Sequence, residues 1–235
     1  TNQFSLQQSF NGGIADGFIS RLHDNGSAVS LLNSTYLGTS GVDIVYGIKV
    51  DQNGSPYVTG TSTGAWPVLN ATYSVVNARQ FIAKLFPDCS GFVYSTTFGT
   101  AGAASPNISP VAFNVDDCGN VYVAGWGGGA NSFGGGINSY PTEVTTGLPV
   151  TPDSFQSTTD GSDFYIFVLQ KDAASQLYGS FFGQLGGNGG LDHVDGGTSR
   201  FDKGGRIYHA VCSACGGQSN GFVSTPGVIG TTNNS

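Results

Sequence analysis

The only cluster of this sequence that mixes carboxylate and imidazole groups is formed by Asp192, His193 and Asp195. Two carboxylates could bind Ca²⁺, and His with Asp could bind a transition metal. A histidine between acids could also serve in acid–base chemistry. The alternative is that these side chains bind loop backbone and fix the start of the next strand. We favour this alternative, because the sequence identifies no further ligand, and predict no cofactor, with Ca²⁺ as the open possibility.

Aromatic residues separated by Gly and Asn form the second candidate site. Trp126, Phe133 and Tyr140 lie in one Gly-rich stretch, and Trp66 lies in an earlier loop. Such rings could stack on the sugars of a surface glycan, with Asn binding the hydroxyl groups. The alternative, which we favour, is that the rings cap strands while Gly permits tight turns. The Gly runs open no helix, so a phosphate-binding loop is not predicted.

A carboxylate pair for glycan hydrolysis is hard to find. Glycosidases hold two carboxylates roughly 5–9.5 Å apart. Glu143 is the only Glu, and Asp153 and Asp160 are its neighbours in the same insertion. We therefore predict no catalytic residues. A propeller-type lyase or glycan hydrolase, acting on the face with the long loops, remains the enzymatic alternative.

These residues belong to a chain with internal repeats. A strand ending in Asp, a turn with Gly and a strand with Tyr occur in 46–60, 110–125 and 197–210. Repeats of this kind indicate an array of similar units. The recurring acids are Asp51, Asp116 and Asp202. Short Asp side chains bind backbone N–H groups in turns, which predicts a structural role for all three.

Two further strand types also recur, so each unit has four short antiparallel strands. This pattern predicts an all-β fold, namely a β-propeller of four-stranded antiparallel blades. The sequence holds about three blade-equivalents within one propeller region, 1–235, and the tail Gln3 to Gly13 resembles the end of a loop between the second and third strands. The predicted parts are a half-blade at 14–44, blades at 45–99 and 110–183 (the latter with an insertion at 126–161) and a half-blade at 196–235. Closed propellers have four to eight blades. We therefore expect the remaining blades to come from the parent protein or from another extracellular subunit.

The amino-acid composition limits the classes of partner that the chain can bind. Gly contributes 38 of 235 residues, charged residues are only 10%, and the net charge is −7. Negative charge argues against nucleic acid and anionic membranes as partners. No segment approaches the roughly 20 apolar residues of a membrane-spanning helix. The absence of Met suggests that the chain has been processed or cut from a longer one.

Three stretches resemble the SBBP-type repeat of seven-bladed propellers in exported proteins of gliding, Bacteroidota-type bacteria. They are Gly-Ile-x-Val-Asp-x-x-Gly-x-x-Tyr-Val-Thr-Gly at 47–60, Phe-Ile-x-Lys-Leu at 81–85 and Tyr-Ser-Thr-x-x-Gly at 94–99. The region 192–217 is similar to the last propeller part of such proteins. The resemblance implies a cell-surface or secreted location, a role in adhesion, surface assembly or gliding motility, and export by type IX secretion. It implies no catalytic residues.

The four cysteines are an even number, which permits full oxidation to disulfides. Cys212 and Cys215 have Cys-x-x-Cys spacing without the second pair of a zinc site, which predicts a local disulfide. Cys89 and Cys118 lie in turns on the same face of adjacent blades. A bridge between them would close a loop of roughly 30 residues, worth about 3–4 kcal/mol. One objection to this bridge is that the turn with Cys118 joins inner strands and the turn with Cys89 joins outer strands. The two Cα atoms of a disulfide must lie within about 7 Å of each other, and this radial offset opposes such a separation.

The leading hypothesis is thus a non-enzymatic, cell-surface or secreted propeller module for adhesion or surface assembly. One alternative is a subunit of an extracellular filament or secretion-associated complex, with exposed blade edges pairing with another chain. The other is the enzyme described above. Paired acids in a pocket would favour the enzyme, and a partner bound at a blade edge would favour the subunit.

Overall fold

The computed structural model describes residues 5–127, 144–184, 191–193, 199–215 and 224–230. This part of the chain is built from fourteen short strands and one 3-10 turn at Lys171–Ala173. The strands form antiparallel sheets in which sequence neighbours are hydrogen-bonded, except in one sheet near the end of the chain. The predicted all-β propeller fold is confirmed.

The first half-blade is a hairpin of β1 (Gly17–Asp24) and β2 (Val29–Leu37). The segment before it follows the outer edge of β2: the Tyr36 N–H donates to the Gln7 carbonyl oxygen at 3.1 Å, and the Gln7 N–H donates to Thr35 Oγ1 at 2.8 Å. The second complete blade shows the same contact, from the Phe181 N–H to the carbonyl of Gln156, in the loop between its second and third strands. The predicted likeness of the tail to such a loop is therefore confirmed.

Two complete blades follow, each with its four strands in sequence order. The first contains β3 (Asp43–Val50), β4 (Pro56–Ser62), β5 (Gln80–Leu85) and β6 (Phe92–Phe98). The second contains β7 (Ser109–Val115), β8 (Val121–Trp126), β9 (Phe164–Leu169) and β10 (Gln176–Phe182). All eight strands lie where the repeats predicted them.

The last part of the chain departs from the prediction of one strand over 206–211. It contains β11 (Leu191–His193), β12 (Arg200–Phe201), β13 (Ile207–Tyr208) and β14 (Cys212–Cys215). Strand β13 pairs with β12 over only two residues, and β14 then pairs with β11. Of the predicted strand, only Ile207–Tyr208 pairs with β12, and β14 is a further strand that begins just after residue 211.

The turns between the first two strands of each unit explain the recurring acids. Asp51 Oδ1 accepts the N–H groups of Asn53 and Ser55 at 2.9 and 3.0 Å. Asp116 and Asp202 accept equivalent N–H groups, and each turn has a Gly with φ between 78° and 86°. These hydrogen bonds lower the pKa of all three carboxyl groups below the usual value, although partial burial opposes the effect at Asp51 and Asp116. The predicted structural role is confirmed.

Hydrophobic cores lie between successive blades. One core joins Ile19 and Leu37 of the first half-blade to Val58 and Phe81 of the next blade. A second core joins the two complete blades, and its Phe98 and Phe167 rings stack at 4.5 Å between centroids. Each blade is therefore held mainly by the faces that it buries against its neighbours.

Candidate functional site

The aromatic candidates do not form a ligand site in the described residues. Trp66 is only 8% exposed, stacks on Phe81 at 3.5 Å and donates from Nε1 to Ser95 Oγ at 2.8 Å. It is a core residue, so the weak prediction of ligand binding at Trp66 is wrong. Trp126 is half-buried at the end of β8, and Phe133 and Tyr140 lie outside the described residues.

The cysteines are not brought together as predicted. Cys89 and Cys118 are both free; the first is buried in the core beside the first half-blade, and the second is exposed. The predicted bridge between them is therefore wrong, since the outer turn holding Cys89 points into that core. Cys212 and Cys215 end a four-residue strand, which separates their Cα atoms by about 10 Å. A bridge there would require a turn instead; their side chains lie outside the described part, and the bridge stays a prediction.

The predicted metal cluster is divided by the structure. Asp192 is fully buried in β11, Asp195 lies outside the described residues, and nothing is described of the His193 side chain. Among the described residues, no group of three His, Cys, Asp or Glu side chains is placed to hold a metal ion. Asp192 instead belongs to a junction between blades.

Each junction uses the same hydrogen bond where the chain leaves one blade and enters the next. The residue after a Gly donates its N–H to a side-chain oxygen that lies several residues further along the chain. Thr39 donates to Asp43 Oδ2 at 2.7 Å, and Thr100 donates to Asn107 Oδ1 at 2.9 Å. The third copy joins the Gln184 N–H to Asp192 Oδ2 at 3.0 Å. Asp43, Asn107 and Asp192 therefore close equivalent turns.

A second side chain faces each of these acceptors from the start of the third strand of the preceding blade. These residues are Asp16, Gln80 and Asp163. Each lies against the Gly at the junction so closely that a Cβ on Gly38, Gly99 or Gly183 would approach it to within 2.3 Å. The Gly residues are thus required by packing as well as by the turn.

A glutamine braces the first and third junctions in the same way. Gln7 accepts the Gly38 N–H at 3.1 Å and its Nε2 faces Asp16 Oδ2 at 3.4 Å. Gln156 accepts the Gly183 N–H at 3.1 Å and its Nε2 faces Asp163 Oδ2 at 3.4 Å. The two junctions are therefore copies of one structure, although 149 positions of sequence separate the two glutamines.

Asp163 and Asp192 are the most buried acid pair of the described chain. Asp163 is 1% exposed. Its Oδ1 lies 1.9 Å, and Asp192 Oδ2 lies 2.7 Å, from the point that a Cβ on Gly183 would occupy. The two carboxylate oxygens therefore lie within about 5 Å of each other. Burial, together with the charges of Asp160 and Asp192, raises the pKa of Asp163 to about 6. Sequence reasoning missed this pair because its members are far apart along the chain.

His209 is a second unpredicted feature of the same region. The strand pairing aligns it with Val58 and Val123, which are fully buried in the two preceding cores. Its ring stacks on Phe182 at 5.5 Å and lies 4.8 Å from Phe164, and its Nδ1 is 2.7 Å from Ser199 Oγ. Burial lowers the pKa of His209 to about 4, so the imidazole is neutral at pH 7.

The three acids considered for glycan hydrolysis, Glu143, Asp153 and Asp160, are not brought together as a pair by the described residues. Asp160 Oδ1 accepts the Ser162 N–H at 2.8 Å in a turn, and the Asp160 N–H faces Asp163 at 3.3 Å. Asp153 is exposed, and Glu143 lies outside the described residues. The described residues therefore give no hydrolytic carboxylate pair in this insertion.

In the described part of the chain, no blade covers the outer face of the first half-blade, although this face matches the blade-packing surface of the next two blades. The strand pairing aligns Phe18 with Phe81 and Tyr165, which are fully buried by the preceding blade. Phe18 is 67% exposed. Among the described residues, β1 also pairs with β2 alone, whereas β5 and β9 each pair on both sides.

Comparison with protein families agrees with this architecture. A family model described as a β-propeller repeat, SBBP, matches residues 32–65. These residues form a β-propeller repeat. The match runs from β2 through β4, and so includes the junction closed by Asp43. No curated protein gives a significant match to the chain. Within the described residues, no helix has the length and apolar character needed to cross a membrane.

Proposed function

We propose that this chain is a propeller module of a cell-surface or secreted protein and serves in adhesion or surface assembly without catalysing a reaction. The observation that carries the proposal is the uncovered face around Phe18. Phe81 and Tyr165, at the same position in the next two blades, are buried by a neighbour. A large exposed aromatic residue on a sheet face, beside a free strand edge, favours binding of another protein.

The partner that fits this face is another propeller blade. A blade would cover Phe18 as the first half-blade covers Phe81, and would extend the stack by one unit. The blade would come from the remainder of the parent protein or from another extracellular subunit. The match of the repeat model supports a propeller module. The finer parts of the proposal are seven blades, gliding motility and type IX secretion. They rest on the resemblance of residues 47–60, 81–85 and 94–99 to the SBBP-type repeat.

A non-enzymatic role is supported by the uses of the polar residues. The recurrent acids Asp51, Asp116 and Asp202 bind turn backbone, and Asp43 and Asp192 close junctions. These side chains hold the blades in place. The long loops and the uncovered face are left as the surfaces for recognition.

The test is photo-crosslinking on intact cells that produce the parent protein. A photoreactive phenylalanine analogue replaces Phe18 in one strain and Val76 in the matched control; Val76 is 73% exposed but lies in a loop. We expect a crosslink from position 18 to another blade of the parent or to an extracellular subunit, and none from position 76. Added protease should digest the protein on intact cells.

The results separate the candidate functions. An intramolecular crosslink supports the modular propeller, and a crosslink to a different chain supports the filament or secretion-complex subunit. The adhesion role also requires that Phe18→Ser reduce cell attachment while Val76→Ser leaves it unchanged. Protection from protease on intact cells, or equal labelling from both positions, would refute the proposal.

A further inference from the structure

We propose that the junction between the second complete blade and the last half-blade binds a divalent cation of the Ca²⁺ type between Asp163 and Asp192. The proposal rests on a comparison of the three junctions within the chain. All three share the hydrogen bond from the N–H after a Gly to a side-chain oxygen, although the acceptor lies four, seven or eight residues beyond the donor, so the side chains around this bond can be compared.

The middle junction is satisfied by amides. The Asn107 N–H donates to Gln80 Oε1 at 2.8 Å, and Gln80 Nε2 donates to the Phe98 carbonyl at 3.2 Å. Asn107 Nδ2 donates to the Val144 carbonyl at 3.1 Å. This pair carries no charge and supplies its own donors, so the middle junction needs no ion.

The first junction has two acids but additional donors. The Thr39 hydroxyl donates to Asp43 at 2.9 Å, and the Asn11 N–H donates to Asp16 Oδ2 at 2.6 Å. Asp16 is half-buried, whereas Asp163 is only 1% exposed, but Asp16 Oδ1 is itself buried without a hydrogen-bond partner. The first junction therefore differs from the third in the added Thr39 donor and in the greater exposure of its outer acid.

The third junction keeps both acids but has no hydroxyl at the position of Thr39, while Asp163 Oδ2 still accepts the Asp160 N–H at 3.3 Å. Gln184 replaces Thr39, and the Asp163 and Gln184 side chains are only 1% and 2% exposed. Asp163 Oδ1 and both polar atoms of the Gln184 amide are buried without a hydrogen-bond partner in the described chain. Buried polar atoms normally have partners, and buried charges are normally paired or bound to metal.

The donor set indicates which ion fits. Asp163 and Asp192 supply carboxylate oxygens, and Gln184, with a buried amide that has no hydrogen-bond partner, occupies the sequence place of Thr39, whose hydroxyl contacts Asp43. Hard oxygen ligands suit Ca²⁺, whereas a zinc site would use His or Cys. Two carboxylates balance the charge of one divalent ion. Since no three His, Cys, Asp or Glu side chains of the described residues are placed to hold a metal ion together, neutral oxygens complete the shell.

A proton is the competing way to neutralise the pair. A proton on either carboxylate would remove part of the repulsion between the two buried groups. A cation removes this repulsion without protonation. The competition makes the two explanations separable by experiment.

The test measures the melting temperature of the full chain at pH 7.5 in EDTA and in CaCl₂, together with calorimetric titration of Ca²⁺ into the metal-free protein. Ca²⁺ at a hundredfold excess over its Kd should raise the melting temperature by about 5–10 °C. Asp163→Asn and Asp192→Asn, which copy the amide chemistry of the middle junction, should abolish this rise and the calorimetric signal. Asp16→Asn, the matched change in the first junction, should leave both unchanged.

Each outcome decides the proposal. The melting temperatures of the variants in EDTA show whether they fold, and both Asn variants should be at least as stable there as the unmodified chain, because one buried charge is gone. Absence of any Ca²⁺ response in the unmodified chain overturns the proposal. So does a response that survives in both Asn variants, or a chain that is stabilised by lowering the pH to 5.5 but not by Ca²⁺.

Discussion

Replacing His209 with Val gives the sharpest test of how the blades pack. Val occupies the aligned position in the two preceding cores, so His209→Val installs the side chain that the fold already uses twice. The imidazole lies against Phe164 and Phe182, and burial lowers its pKa from 6.5 to about 4. A difference of about 2.5 in pKa corresponds to about 3 kcal/mol between the neutral and charged forms.

The sign follows from which state binds the proton more tightly. The unfolded chain protonates His209 near pH 6.5, and the folded chain does so only near pH 4. The contribution of this residue to stability is therefore constant above pH 6.5, declines as the pH falls, and is fully lost below about pH 4. The raised pKa of Asp163 acts in the opposite direction, but it is present in both proteins and cancels in their difference.

Two measurements check the prediction. NMR titration of the His209 ring should give a pKa near 4. Urea unfolding at pH 7 and pH 4.5 should show that the unmodified chain loses about 2–3 kcal/mol more than His209→Val across this interval. A pKa near 6.5, or equal losses in the two proteins, would refute the burial of His209 between the two aromatic rings.

Other substitutions test the remaining features. Phe81→Ala should lower the free energy of unfolding in urea by about 3–5 kcal/mol, because Phe81 is buried and stacked on Trp66. Phe18→Ala, at the aligned exposed position, should lower it by under about 1 kcal/mol. Equal losses in the two variants would contradict the uncovered face. Asp51→Ala should lower the free energy of unfolding by about 1–2 kcal/mol, because it removes two turn hydrogen bonds and the 3.0 Å ion pair with Lys84. Asp51→Asn should lower it less. An Asp51→Ala variant as stable as the unmodified chain would exclude the structural role of this turn acid. Alkylation of the native protein followed by mass spectrometry should modify Cys118 rapidly and Cys89 only after unfolding, because burial shields the Cys89 thiol and raises its pKa; rapid loss of both thiols would contradict the structure.

The sequence predicted the repeating scaffold well because each strand pair is local. The turn acids, the Gly after each of them and the Tyr of the following strand recur within about fifteen residues, and the structure places strands β3 to β10 there. The tail before Gly17 was also identified correctly as the end of a loop, and Gln7 occupies the place of Gln156.

The candidate site was harder to predict because its members come from different blades. Asp192 was considered with its sequence neighbours His193 and Asp195, whereas its partner Asp163 begins the third strand of the preceding blade. A strand presents alternate residues to one face, so adjacent residues seldom form one site. Trp66 was misjudged for a related reason: loop position suggested exposure, but Ser95 and Phe81 hold the ring in a core.

The location of the cores between blades has a mechanical consequence. Each core joins a blade to its immediate neighbour, as in proteins whose units stack in one dimension. Under tension, such a stack yields unit by unit, and the separation of one pair of faces leaves the next pair intact. A force–extension curve of this chain would then show successive rupture steps, with the junction at Gly183 responding to dissolved calcium and the junction at Gly99 indifferent to it.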